Sequence, residues 1–290
     1  MLPSDVSIGS LVERACTWEV QARKLGNVCP GREYPDLTVA DFRYSAVAIA
    51  PVLDKAPRQP LGVTILRAVG ATRAVVATNT NLGIVLLLAP LASVPVGQPL
   101  MPGLGRILAQ TTVDDARHVY AAIRLANPGG LGAAPQQDVR DQPTLPLRDV
   151  MALAQDRDLI ALQYVNGFAH VRAWSQRLGD SAARHGNIER AIFDLQLAAL
   201  AETSDSLIAR KCGVAEAERV REIAVELSQT PNPPGKAARL REFDALLRAD
   251  NHARNPGTIA DLIAAALFVA LRDGRLDPSL PFTWDEHPFV

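Results

Sequence analysis

The chain has 290 residues, enough for a sizeable core, and its 48% hydrophobic content with only 5% aromatic implies a core of Ala, Leu, Val and Ile, a mix that favours helices. Its 30 basic and 31 acidic side chains leave a formal charge of −1, which argues against nucleic acid as the main partner. Three cysteines (Cys16, Cys29 and Cys212) are too few and too scattered for a disulfide framework or a zinc site, and a reducing cytoplasm is the compartment they suggest.

Met1-Leu2-Pro3-Ser4-Asp5 has no basic region leading into an apolar one, so no signal peptide is expected. From Ile8 to Leu25, residues Leu11, Ala15, Trp18 and Ala22 make an amphipathic stripe and predict a helix. A Gly- and Pro-bearing loop follows from Gly26 to Asp36. Thr38 and Asp41 then carry the spacing of a capping box, which opens a second helix. Pro57 and Pro60 bracket a break before a third helix over Leu61–Ala71. Thr80–Leu91 is apolar almost all round and predicts a central, buried helix. Thr112-Val113-Asp114-Asp115 opens a helix that runs to Leu125, with Asp115 as the capping partner of Thr112. Residues 133–147 read as a long loop, and Leu147–Trp174, Ile188–Lys211 and Ala215–Thr230 as helices. Pro231–Gly235 reads as a linker, followed by helices over Ala237–Ala249 and from Thr258 to Arg272, the last with Asp261 as the expected capping partner of Thr258. No useful segment alternates with period two. The fold expected is therefore all-α, a single domain over 1–290 of roughly ten helices. Reading Val75–Thr78 or Ile84–Leu88 as a strand is less favoured, because no second strand-like run accompanies them. The longest apolar run, Leu82–Val96, is broken by Pro90 and Pro95 and is shorter than the roughly 20 residues a bilayer needs, so no membrane partner is expected.

The most informative stretch is Thr78-Asn79-Thr80-Asn81-Leu82-Gly83, where hydroxyls and carboxamides abut a greasy helix. An unpaired buried polar group costs roughly 1–3 kcal/mol. One such residue suffices as a helix cap, so the excess points to a polar ligand. The pattern of acids, amides and glycines at helix starts recurs. Glu19 precedes Lys24, Gly26 and Asn27, and Asp114 and Asp115 precede the loop Pro128-Gly129-Gly130-Leu131-Gly132. Asp156-Arg157-Asp158 precedes Gln163, Tyr164 and Phe168, while Asp205 precedes Arg210 and Lys211. Asn255-Pro256-Gly257-Thr258 leads into Asp261. Each element alone is compatible with a cap, a turn or a surface charge. No HExxH, CxxC pair, GxSxG or P-loop is present, and the five histidines lack ligand spacing.

In this order and spacing the pieces resemble the triphosphoribosyl-dephospho-CoA synthase family, whose members help build the prosthetic group of citrate lyase and malonate decarboxylase. The resemblance runs from about Glu13 to Phe268. It is carried by Glu19-Val20, Lys24 to Val28, Asp41-Phe42 with Ser45, Gly62 to Leu66, Asn79-Thr80 and Thr112 to Ala116. It continues through Pro128 to Gly132, Asp156 to Asp158, Tyr164 with Gly167-Phe168, Asp205 to Lys211 and Asn255 to Leu262.

This resemblance implies an all-α enzyme that transfers C1′ of ATP onto the ribose 2′-hydroxyl of 3′-dephospho-CoA with loss of adenine. Such glycosyl transfer through an oxocarbenium-like state calls for carboxylates near the anomeric carbon. Asp114, Asp158 and Asp205 are the candidate catalytic acids, and Asp114 with Asp158 the candidate ligands for Mg2+. Glu19, Lys24, Asn27, Asn79, Thr80, Asn81, Gly129, Gly130, Tyr164, Arg210, Lys211, Asn255 and Asp261 are the candidate nucleotide- and substrate-binding residues. The partners implied are ATP and a dephospho-CoA-like acceptor, with a homo-oligomer left open. Two positions depart from the family pattern: Leu25 stands for proline, and Asn81-Leu82 for the His-Lys of many members. The second removes up to two cationic contacts and opens an alternative, a related ribosyl- or phosphoribosyl-transfer step in pterin cofactor assembly. A non-catalytic nucleotide- or CoA-binding helical protein is the reading from a different class. Convergence of Asp114, Asp156 or Asp158, and Asp205 on one cleft would favour an enzyme over it.

Overall fold

The computed structural model describes residues 7–130, 132–229 and 235–287. The first residues and most of the expected linker at 231–235 lie outside the described residues. The chain is 66% helical and, among the described residues, contains no strand, only isolated bridges at Cys29–Arg32 and Tyr34–Leu37. Among the described residues fourteen α-helices are present rather than roughly ten. In chain order they are α1 Ile8–Gln21, α2 Val39–Leu53, α3 Leu61–Arg73, α4 Leu82–Ala92, α5 Leu100–Ala109, α6 Val113–Ala126 and α7 Leu147–Ala152. The second half adds α8 Leu159–Asn166, α9 Ala169–His185, α10 Ile188–Glu202, α11 Ser206–Cys212, α12 Val214–Gln229, α13 Lys236–His252 and α14 Gly257–Arg272.

One of the additional helices, α5, lies where no helix is expected from the sequence, and the other three come from breaks inside two stretches expected to be continuous. Leu147–Trp174 divides at Asp158, whose carboxylate caps α8, and again at Gly167 and Phe168, both in the left-handed region at φ 69° and 59°. Ile188–Lys211 divides at Thr203–Asp205, where Asp205 caps α11. Helix propensity is satisfied on both sides of each break. The aspartates compete for backbone N–H groups and start a new helix in another direction. The first helix also ends early, at Gln21, because Lys24 folds back and its ammonium meets the carbonyls of Glu19 and Ala22.

Both internal capping boxes are present, Thr38 with Asp41 and Thr112 with Asp115. Asp115 does more than cap. Gly62 N donates to its Oδ1 at 2.8 Å, and a Cβ at Gly62 would lie 2.6 Å from the Asp115 backbone, so α3 and α6 cross at van der Waals contact. The expected box between Thr258 and Asp261 does not form: α14 starts at Gly257 after Pro256, and the Asp261 side chain turns elsewhere.

Two helices occupy the centre. Every residue of α4 except Gly83 is buried, as is every residue of α14 from Leu262 to Arg272, and the two pack together. The buried Arg272 guanidinium donates to the carbonyls of Leu91 (2.9 Å), Val94 (2.6 Å) and Pro95 (2.8 Å), satisfying groups that the C-terminal end of α4 leaves orphaned. The pairs α1–α2, α3–α6 and α9–α10 surround this centre. Among the described residues no single helix is long and apolar enough to cross a membrane.

Candidate active site

The N-terminal ends of α4, α8, α11 and α14 meet at one side of the core, since α4 packs on α8 and α14, and α14 on α8 and α11. Each end carries N–H groups that lack an intrahelical acceptor, and the positive pole of a helix dipole. A cleft of about 1260 Å³ opens beside them.

Twelve of the expected residues line it: Glu19, Asn27, Asn79, Thr80, Asn81, Gly129, Gly130, Asp158, Arg210, Lys211, Asn255 and Asp261. Four do not. Asp114 stands on the surface with a side chain 73% exposed, paired to Arg117 at 2.5 Å, because the adjacent Asp115 takes the inward position on α6. Tyr164 is fully buried, its hydroxyl donating to Leu86 O at 2.7 Å and its ring packing on Phe168, so it holds α8 to α4 from behind. Lys24 lies beneath the floor. Asp205 sits behind the cleft, and its oxygens are taken up by backbone. Of the acids expected to converge, Asp156 and Asp158 reach the cleft, where Glu19 and Asp261 join them.

The floor is acidic. Glu19 and Lys24 form a buried ion pair at 3.0 Å. Burial pushes the Glu19 carboxyl above its ordinary value, against the pull of the Lys24 ammonium. Asp158 Oδ1 accepts from Ile160 N (2.8 Å) and Ala161 N (3.1 Å), leaving Oδ2 facing Arg210 at 3.4 Å. Arg210 in turn lies under the Gly129–Gly130 turn, where a Cβ at Gly130 would come 3.3 Å from its Cγ. On this side of the cleft Arg157 and Lys211 are exposed cations with no ion-pair partner among the described residues.

Asp205 joins two helix starts. Its Oδ1 accepts from Leu207 N and Ile208 N, and its Oδ2 from Ile259 N at 2.8 Å. Desolvation raises this carboxyl to about 6, opposed by the three N–H donors. A folded value above the unfolded one means that stability falls as pH rises through roughly 4 to 6, where the folded state holds the proton more tightly. Asp205→Asn presents an NH2 group to one of the N–H donors, and losing that buried bond is expected to destabilise by about 1–3 kcal/mol. The deficit should be smaller at pH 7 than at pH 4, since the variant escapes the charge penalty. Urea denaturation at the two pH values checks both statements.

At the other end of the cleft, amides replace charges. Asn27 Nδ2 donates to Asn255 Oδ1 at 2.6 Å, and Gln196 Nε2 donates to Asn27 Oδ1 at 2.7 Å. Gly26, at φ 68°, has Leu247 Cβ 2.6 Å from where its own Cβ would be, which only glycine tolerates. Its N–H donates to Asp244 Oδ1, and Arg248 donates to Asn27 O at 2.6 Å. Sequence reasoning missed these braces. Gln196 could have been suspected as a lone amide between Leu195 and Leu197, whereas Asp244 and Arg248 sit in a charged helix that gives no hint.

In the 78–83 stretch, Asn79 Oδ1 accepts from Leu82 N at 3.1 Å, and Thr80 shares a 2.5 Å hydrogen bond with Ser45. Asn81 occupies the N-cap position without making a cap bond, and its buried Nδ2 has no partner. Among the described residues no three His, Cys, Asp or Glu side chains are placed to hold a metal ion. The expected Asp114–Asp158 magnesium pair does not form, because Asp114 faces away; the residues present do not fit a resident metal centre.

Helix starts gathered round a cleft with an acidic floor and a cationic side belong to an all-α enzyme acting on small polar molecules, and comparison with known families makes it a transferase. A family model described as ATP:dephospho-CoA triphosphoribosyl transferase matches residues 5–278, and the chain belongs to that family. A crystal structure from Archaeoglobus fulgidus, named as a triphosphoribosyl-dephospho-CoA synthase, is similar at 26% identity and a TM-score of 0.61. That similarity covers 79% of this chain and 98% of the other. No curated protein sequence matches this chain.

Proposed function

We propose that this protein transfers the triphosphoribosyl group of ATP to a hydroxyl of 3′-dephospho-CoA or a close analogue, releasing adenine. The observation that carries this reading is the presence in one cleft of both carboxylates and cations. Positive charge develops at the anomeric carbon as the glycosidic bond breaks, and preorganised carboxylates stabilise it. Glu19, Asp158 and Asp261 supply that field. The triphosphate is suited to the opposite chemistry of Arg157, Arg210, Lys211 and the Gly129–Gly130 turn. Magnesium would arrive as part of the nucleotide substrate, on its phosphate oxygens.

Incubation with ATP, magnesium and 3′-dephospho-CoA, followed by mass spectrometry, tests the reading. The expected products are free adenine and an acceptor heavier by one triphosphoribosyl group. Formation of ADP or AMP without adenine would sink it. One observation favours a second acceptor: Asn81 and Leu82 bring no cation to the first turn of α4, which suits a less charged acceptor such as a pterin. Running the same assay with a pterin carrying a free hydroxyl separates the two.

A further inference from the structure

Three carboxylates at the cleft floor and Asp205 behind it lie close together, and three of these four have their charge met. Glu19 has Lys24, Asp158 has two backbone N–H groups and Arg210, and Asp205 has three backbone N–H groups. Asp261 has nothing. Among the described residues no N–H, hydroxyl or ammonium group donates to it, although it lines the cleft. It is held there by shape. A Cβ at Gly83 would overlap Asp261 Oδ2 and lie 2.7 Å from both Asp261 Cγ and Ile160 Cδ1, so the carboxyl is pressed against the bare backbone of α4.

The first turn of α4 carries a second unmet group. Asn81 is 5% exposed, lines the same cleft, and its Nδ2 is a buried donor without an acceptor. An unmet donor two positions before Gly83 and an unmet carboxylate packed against Gly83, both lining one cleft, are complementary to a group that both accepts and donates, which is what an alcohol does.

We propose that Asp261 is the general base of the transfer, taking the proton of the acceptor hydroxyl while Asn81 Nδ2 donates to the oxygen of that hydroxyl. This rests on the transfer reaction proposed above. As the proton passes to Asp261, the hydroxyl oxygen forms its bond to C1′ and the C1′–N9 bond of ATP breaks. The bonding pair leaves with adenine, which takes a proton from water, and Asp261 returns its own proton to water. No oxidant or further reactant is needed.

The electrostatics agree with the geometry. Burial holds the Asp261 carboxyl well above the usual carboxylate range, and the Glu19, Asp205 and Asp158 carboxylates push it the same way against Arg210. Cys16 on α1 also faces it. A raised value makes the ionised carboxylate a stronger base, available only once the pH has risen through it. Because the ionised form is penalised in the folded state, neutralising Asp261 should leave the protein at least as stable at neutral pH.

The test uses the full chain and follows adenine release. Asp261→Asn is expected to lose about 100-fold or more in turnover, to melt no lower than wild type at pH 7, and to keep its thermal shift with ATP. In Asp261→Ala, formate is expected to restore at least about tenfold of the lost turnover by standing in for the carboxylate, an effect a structural role would not give. Asp261→Asn within about threefold of wild type overturns the assignment, as does a loss that formate leaves untouched. If wild type releases no adenine with any acceptor, the transfer reading falls and the base assignment with it, so the two failures are distinguishable.

Discussion

Gly83→Ala is expected to lower turnover by about 100-fold, although alanine is the better helix former. The new methyl group would occupy space held by the Asp261 carboxylate and press on Ile160 Cδ1. Neither neighbour can yield cheaply. Asp261 stands on the buried α14, two residues beyond Ile259, whose N–H is bonded to Asp205, and Ile160 is the second residue of α8, its own N–H bonded to the Asp158 cap. The carboxylate must therefore swing out of the floor, and a displacement of about 1 Å at a reacting group is enough for a 100-fold loss. Overpacking should also destabilise by about 1–3 kcal/mol. Gly70→Ala is the control. Gly70 lies within α3, and a Cβ there meets nothing within 4 Å, so this variant should gain about 0.5–1 kcal/mol with unchanged turnover. Adenine release measured on both variants decides the matter. A fully active Gly83→Ala would mean that the α4–α14 contact is packing alone.

The largest effect on stability is expected from Lys24→Met. Lys24 is wholly buried, and its ammonium serves the Glu19 carboxylate and two carbonyls at the end of α1. Methionine fills similar space but leaves Glu19 buried beside Asp261 with no counter-charge. Breaking a buried pair from one side typically costs about 3–5 kcal/mol. The penalty has a definite pH dependence. The Glu19 carboxyl already lies above its ordinary value, and without Lys24 it rises further. The variant is thus least stable, relative to wild type, at neutral and alkaline pH, and recovers as falling pH protonates Glu19. Adding Glu19→Gln removes the stranded charge and should restore most of the loss, so the double variant melts well above Lys24→Met alone. Additive losses in this cycle would mean that the two side chains do not act as a pair.

Much of the local architecture was legible in the residues. The two capping boxes and the apolar central helix follow from chemistry within four residues of each position, where helix caps and periodicity act. Several of the family motifs, among them Asn79-Thr80 and Asp156 to Asp158, fall on stretches that line the cleft, whereas Gly62 to Leu66 and Thr112 to Ala116 do not. The helix count was less legible. Nothing between Leu153 and Asp158 is a glycine or proline, so the break before α8 depends on an aspartate capping a helix whose direction is set by packing on α4.

The helical character of the chain, the burial of α4 and the crowding of polar residues at helix starts are readable from the residues, because propensity, period and capping are short-range properties. Which of those polar residues share a site is set by how the helices pack. Asp114 and Asp115 are neighbours with opposite fates, since the approach of Gly62 to α6 places Asp115 inward and leaves Asp114 on the surface. Glu19 and Asp261 stand more than 200 residues apart in the chain and face each other because α1 packs on α14. Whether an acid is a cap, an ion-pair partner or an unmatched carboxylate depends on which donors surround it. Those donors come from distant helices, and only the packing of the core brings them together.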